Sequence, residues 1–269
     1  MKNLVLSVVL LVAVNVSARA GEISSNDLTA LPFADIVILG EVHDNPLHHL
    51  AQAKSIAAIK PKAVVFEMLS PEQAAKVTPE LLTDQSELGA MLDWESSGWP
   101  DFALYYPVFA AIGEVQLFGA ARPRDDVRKV FEQGAAAVFG PTSERFGLKE
   151  SLPEKQLTQR MQEQFDAHCE AMPLEMMGGM VEAQRFRDAA FGEVVIQAYE
   201  ETGGPVVLIA GNGHARSDWG VPAMLLVGAP ELSVLTIGFL EAPAEDQQPF
   251  DLWVVTEPAI REDPCLAFK

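Results

Sequence analysis

The stretch "DIVILGEVHDNPLHH" (Asp35–His49) decides the fold. A β-rich apolar run, Asp35–Gly40, passes through a short polar loop into a helix start, where Asn45 can cap and Pro46 can take the first helical position. The same grammar recurs along the chain. "AVVFEM" (Ala63–Met68) precedes "SPEQ", a capping box with Ser70 as cap and Gln73 three residues on. "EVQLFG" (Glu114–Gly119) precedes "ARPRDDVRKV", where Asp125 or Asp126 can cap. "PVVLIAG" (Pro205–Gly211) precedes "NGHARSDWGVPAMLL", and "LSVLTIGF" (Leu232–Phe239) and "DLWVVT" (Asp251–Thr256) close the chain. Apolar runs alternating with helices define an α/β fold, a mostly parallel sheet flanked by helices. Residues 125–201 break the pattern. They are polar, helix-permissive and free of strong strand runs, and they read as an inserted helical subdomain.

The first twenty residues stand apart from this fold. Lys2 gives a positive start, Leu4 to Val14 an apolar core, and Ala18-Arg19-Ala20 a small-residue cleavage site, the pattern of a secretory signal peptide. The expectation is a single mature domain over residues 21–269, exported to the periplasm or cell envelope. Removing Lys2 and Arg19 takes the net charge from −19 to −21. Such acidity argues against nucleic acid and anionic lipid as partners. No later segment is apolar over the length of a membrane span, so the mature protein is not transmembrane. In an exported protein the two cysteines, Cys169 and Cys265, read as one disulfide, with two free thiols the alternative.

In open α/β sheets, ligands bind at the carboxyl ends of the strands, and the unusual polar residues of this chain follow the strand-like runs. The first run delivers Glu41, His43 and Asp44; the second delivers Glu67; the third Arg122 and Arg124; the fourth His214, Arg216 and Asp218. Glu67 either enters the sheet end, where it needs a partner, or lies exposed just past it. His48 and His49 fall in a first helical turn, where the dipole favours neutral imidazole, the form that ligates metal or haem iron. Consecutive helical residues diverge, so one of the two should face the site.

"WESSGWPDFALYYPVF" (Trp94–Phe109) crowds aromatic rings into sixteen residues. Such a run packs a core or walls a flat apolar ligand, and Tyr105 and Tyr106 add phenol oxygens able to ligate ferric haem.

Two stretches, "LGEVHDNPLHH" (Leu39–His49) and "GNGHARSDWGVP" (Gly211–Pro222), resemble the signatures of ChaN-like haem-binding uptake proteins of the Tiki superfamily. "SGWPDFALYYPVFAA", "HCEAMP" and "VEAQRFRDAAF" are similar to the same pattern, so the likeness covers nearly all of the mature chain. The resemblance implies an exported haem-binding protein linked to iron uptake. It would be a homodimer holding haem partly through tyrosine and working with a haem receptor or transporter of the envelope. Tyr105 and Tyr106 are the leading ligand candidates, with Tyr199, His168 and His48 behind them and Arg122 and Arg216 for the propionates. The wider superfamily also contains metal-dependent hydrolases. His43, Glu67 and His214 match their skeleton, with Glu41 or Glu67 to activate water and manganese, zinc or cobalt as the ion. Haem binding is the first reading and an esterase- or peptidase-type hydrolase the second.

Overall fold

A computed structural model of the chain describes residues 20–263, 265 and 266. Residues 1–19, which carry most of the expected signal segment, lie outside them. The strands are β1 (Gly21–Glu22), β2 (Ile36–Leu39), β3 (Ala63–Phe66), β4 (Gln116–Gly119), β5 (Val206–Ile209), β6 (Val234–Glu241) and β7 (Leu252–Thr256). The helices are α1 (Pro46–Ile59), α2 (Pro71–Ala74), α3 (Gln85–Met91), α4 (Trp94–Ser97), α5 (Phe102–Ala110) and α6 (Arg124–Gln133). They continue with α7 (Ala135–Phe139), α8 (Glu154–Ala167), α9 (Met177–Thr202), α10 (Asn212–Ala215) and α11 (Val221–Gly228). No described helix is long and apolar enough to cross a membrane.

The strands form one sheet in the order β1-β7-β6-β2-β5-β3-β4, with every neighbouring pair parallel. The expected α/β class is therefore what the chain adopts. Edge strand β1 has only two residues and no sequence signal of its own; its pairing with β7 supplies it. In the centre, Ile36–Leu39 pairs in register with Val206–Ile209 on one side and Val234–Ile237 on the other. Alternate residues enter opposite cores. Ile36, Ile38, Val65 and Leu208 pack with Phe186, Ala190 and Val195 of α9, while Val37, Leu39, Phe66 and Ile209 pack with Ile56, Tyr105 and Phe109. Burial on both faces is why these strands read as unbroken apolar runs rather than as alternation.

The helix starts follow from their caps. Asn45 accepts the Leu47 N–H at 2.9 Å with Pro46 in the first turn, and Ser70 and Gln73 form the reciprocal capping box. At α6 the expectation needs correction. The helix begins two to three residues earlier, at Arg124, behind Pro123, and Asp125 and Asp126 sit in its first turn without a side-chain cap. There they still oppose the positive end of the helix dipole.

The region 125–201 is helical as expected, and α9 within it belongs to the main body. Its apolar residues, among them Ala183, Phe186, Ala190 and Val195, cover one face of the sheet as a crossover between β4 and β5. Only the segment before it, α6 to α8, stacks outside that layer, on α9 itself. Cys169, just past α8, is joined to Cys265 with their Cα atoms 5.4 Å apart, which ties this helical region to the C-terminal tail.

One consequence of the topology places the site. After β2 the chain turns to the face where Ala51 and Ile56 of α1 pack. After the adjacent β5 it turns to the opposite face, where Val221 and Leu225 of α11 pack. Neighbouring parallel strands whose connections diverge leave a crevice at their carboxyl ends, the usual ligand position in open α/β sheets.

Candidate functional site

The crevice is built around a buried carboxylate. Glu41 leaves the end of β2 and is almost completely excluded from solvent. Its Oε1 accepts the Tyr105 hydroxyl at 2.6 Å and lies 2.7 Å from His43 Nδ1; its Oε2 accepts Gln52 Nε2 at 2.7 Å. His49 lies 3.4 Å from the same Oε2 through Nδ1, while its Nε2 donates to the His43 carbonyl at 2.9 Å. Burial opposes ionisation of Glu41, but hydrogen bonds from His43 and His49 outweigh it and hold the carboxyl far below the usual range. Burial likewise disfavours charge on both histidines. The Glu41 hydrogen bond raises each above an ordinary imidazole, and Glu67 adds to the effect at His43. His49 offers a proton donor to an acceptor at each nitrogen, the pattern an imidazolium satisfies.

A second chain of groups approaches from β5 and α9. Glu67, at the end of β3, is buried; its Oε2 accepts the Gly211 N–H at 2.8 Å. His214 Nε2 lies 3.5 Å from Glu67 Oε1, and His214 Nδ1 lies 2.6 Å from Asp188 Oδ1. Burial pushes the Asp188 carboxyl up, with His214 pulling against it. Gly211 joins the two chains. A Cβ there would stand 2.9 Å from His43 Nε2, so the missing side chain lets that ring reach Glu67 and the β5 turn. His43, Glu67 and His214 thus meet around one point. They come from the ends of β2 and β3 and from α10, which follows β5, and they meet only because β5 lies between β2 and β3. Among the described residues no group of three or more His, Cys, Asp or Glu side chains is placed to hold a metal ion, so the geometry lends the hydrolase reading no support.

The remaining candidates separate. His48 and His49 are both fully buried but turn to different partners, and His49 is the one that faces the Glu41 cluster. His49 braces Glu41, whereas His48 Nδ1 accepts the Val42 N–H at 2.9 Å and its Nε2 lies 3.0 Å from Thr256 Oγ1. Burial drops the His48 pKa to about 4, so the ring is neutral and structural. Tyr105 is fully buried, and burial and the Glu41 charge push its phenol far up, away from phenolate. Tyr106 donates to the Leu82 carbonyl at 3.3 Å. Tyr199 reaches Asp35, at the opposite, amino end of β2. His168 ends α8, its Nδ1 on the Gln164 carbonyl at 2.7 Å. Arg216 is held by Asp218 and Glu163 and lies 3.6 Å over the Trp219 ring. Asp44 forms a two-pronged pair with Arg261 of the C-terminal tail.

Beside the crevice lies a cleft of about 680 Å³. Glu67 lies at its wall with Met68, Trp99, Phe191, Arg122, Arg124, Arg128 and Arg187. The edge of the His43 ring meets Trp99 at 4.8 Å between centroids, and the His43 side chain keeps 36% of its surface exposed. Sequence reasoning did not find Gln184, Arg187 and Asp188. Their signal was present: polar side chains at Gln184, Arg187 and Asp188 lead to Phe191 at helical spacing, on a helix otherwise rich in core residues.

Fold and site together define a parallel α/β protein with a ligand cleft at its strand carboxyl ends, walled by an aromatic and arginine-bearing helical region. The chain belongs to the family described as haem-binding uptake, Tiki superfamily, ChaN, whose profile matches residues 28–225. A solved structure described as cofacial heme binding to ChaN of Campylobacter jejuni is similar over 84% of this chain and 88% of that one, with 17% identity and a TM-score of 0.62. That likeness shows a shared fold. The type III effector HopBA1 is similar over 84% and 88% of the two chains, with 11% identity and a TM-score of 0.44, too distant to bear on the site. No curated protein matches the chain significantly.

Proposed function

We propose that this protein binds ferric haem in the cleft beside His43 and serves haem or iron uptake as an exported protein of a bacterial cell envelope. The observation that carries the reading is the meeting, at one cleft, of an aromatic and apolar wall and four arginines, with the partly exposed His43 ring set against Trp99 of that wall. The volume falls within the roughly 300–1,000 Å³ of small-molecule clefts. Family membership supports the ligand class. A homodimer is part of the proposal, because the cofacial arrangement described for the Campylobacter protein needs two haems face to face.

Within this reading the preferred iron ligand is His43 Nε2 rather than Tyr105 or Tyr106. Glu41 on Nδ1 fixes the ring and makes it a better donor, the carboxylate–histidine arrangement common behind metal-ligating imidazoles. Tyr105 then acts through Glu41 as a positioning residue. Haem supplies the iron and the porphyrin face; the chain supplies the imidazole, the wall and the cations.

The test is a titration of purified protein with ferric haem, followed by absorbance and sedimentation, in wild type, His43→Ala and Tyr105→Phe. Wild type should give a saturable Soret band and haem-dependent dimers. His43→Ala should change the spectrum and weaken binding at least ~10-fold, and Tyr105→Phe should keep the spectrum. An unchanged spectrum in His43→Ala removes the ligand assignment, and no saturable Soret change in wild type removes the function.

A further inference from the structure

The cleft holds four of the ten arginines in a chain of net charge −19, and they are not equivalent. Arg122 is neutralised by Glu193 at 2.6 Å, and Arg128 faces Asp125 at 3.2 Å in solvent. Arg124 is held differently. Its Nη2 donates to the Ser97 carbonyl at 2.7 Å, which orients the guanidinium without cancelling its charge. Gly98, with a φ of 86°, allows this approach, since a Cβ there would stand 3.3 Å from that same nitrogen. Arg187 forms no ion pair among the described residues, and its Nε is buried without a hydrogen-bond partner. A buried donor without an acceptor is destabilising, and a guanidinium fork suits a carboxylate through two parallel bonds. Four residues on, one helical turn along α9, Phe191 supplies an apolar surface to the same cleft, with Trp99, Met68 and Val127 around it.

We propose that Arg187 and Arg124 are the anion-recognition pair of this cleft, taking the carboxylates of a flat, amphipathic dicarboxylate whose apolar body lies on the Trp99–Phe191 wall. The inference rests on the haem reading and deepens it. Recognition comes from the carboxylates as much as from iron, and it falls to two arginines other than Arg122 and Arg216, whose charges are already met within the protein. Arg187 also stands next to Asp188, the partner of His214, so one turn of α9 serves both the cleft wall and the strand-end crevice.

The experiment compares ferric haem with its dimethyl ester, which keeps the ring and iron and removes both charges. Wild type should bind the diester at least ~10-fold more weakly than haem. Arg187→Gln should lose about 10- to 100-fold in haem affinity and almost nothing toward the diester. Arg124→Gln should show the same selectivity to a smaller degree, and Arg145→Gln, outside the cleft, should stay within about threefold of wild type. Circular dichroism confirms folding, and the wild-type comparison holds even where a variant fails to fold. Equal affinity of wild type for haem and diester, or equal losses for both ligands in Arg187→Gln, overturns the proposal. A separate probe tells it apart from the haem reading. Anilinonaphthalene sulfonate, an aromatic anion, should fluoresce on binding wild type and not Arg187→Gln. If haem fails to bind while this dependence holds, the anion pair stands and the haem reading falls. If neither probe depends on Arg187, the pair falls.

Discussion

The two halves of the crevice treat their buried polar groups in opposite ways. On the α1 and α5 side every partner of Glu41 is in place: Tyr105 and His43 on one oxygen, Gln52 and His49 on the other, with His49 anchored in turn to the His43 carbonyl. On the α9 side, Asp188 Oδ2, Arg187 Nε and Arg160 Nη2 are buried without partners. A saturated network fixes a side chain; an unsaturated one accepts something from outside. The difference divides the labour. The first half holds His43 in one orientation, and the second leaves buried cationic and acidic atoms unpartnered, with Arg187 among them at the cleft. Sites that bind by preorganisation need both, because a rigid donor without a receptive wall has nothing to hold its ligand in place.

The largest effect should come from breaking the saturated half. Glu41→Ala removes the buried carboxylate that accepts from the Tyr105 hydroxyl and Gln52 and lies against His43 and His49, and removing one member of a buried ionic network costs about 3–5 kcal/mol. Urea unfolding of this variant beside Arg187→Gln measures the contrast, since the arginine change should shift stability by at most about 0.5 kcal/mol. Equal losses would abolish the distinction between the halves.

Acid should sharpen the comparison next. The folded pKa of His48 is about 4 against an ordinary 6.5, so between those values the unfolded chain binds a proton that the native protein refuses. Stability from His48 is complete above about pH 6.5 and falls as pH drops toward 4, by roughly 3 kcal/mol in total. The cause is local: Nδ1 already accepts the Val42 N–H, and a protonated ring would face donor with donor. His43 and His49 run the other way. Their pKa values are raised, so their contribution is present below about 6.5 and is lost as pH rises through the folded values. Glu41, whose pKa is depressed, holds its contribution above its unfolded value and loses it only in strong acid. Unfolding free energy measured from pH 4 to 7 should therefore slope less steeply in His48→Gln than in wild type. An unchanged slope would show that His48 does not carry the acid sensitivity.

The smallest change, Tyr105→Phe, removes one hydrogen bond to a carboxylate that keeps three other partners. A loss of about 1.5–3 kcal/mol is expected for a bond to a charged group, at the low end here because the ring stays packed against Trp94 and His49. The sharper readout is the His43 titration followed by NMR. With Tyr105 gone, Glu41 Oε1 serves His43 alone, and the His43 pKa should rise further above its already raised value. A fall, or no movement, would mean that the hydroxyl does not compete with His43 for that oxygen.

Much of this molecule was legible before any coordinates. The unbroken apolar runs at Asp35–Gly40, Ala63–Met68 and Pro205–Gly211 mark strands buried on both faces, because parallel strands between helix layers have no solvent side to alternate toward. Asn45, Pro46, Ser70 and Gln73 mark helix starts because capping is satisfied within a few residues. The gathering of Glu41, His43, Glu67 and His214 could be read because strand ends of a parallel sheet share one rim.

What the sequence could not carry was which of these groups touch. His48 and His49 are adjacent, identical in type and both buried, yet one holds a backbone amide and the other a carboxylate. That choice depends on how α1 is rolled against α5 and β7, across contacts far apart in the chain. Tyr105 reads as a ligand from its place in an aromatic run, and only the structure shows that its hydroxyl meets a carboxylate 64 positions away. Arg122 and Arg187 are chemically alike, and only the placement of Glu193 and the register of α9 leave one neutralised and the other with a buried, unpartnered Nε. Composition and periodicity, which are local, determined the sheet, its helices and the rim. The partner of each polar side chain is a long-range fact, settled when β5 lies down between β2 and β3 and brings α9 with it.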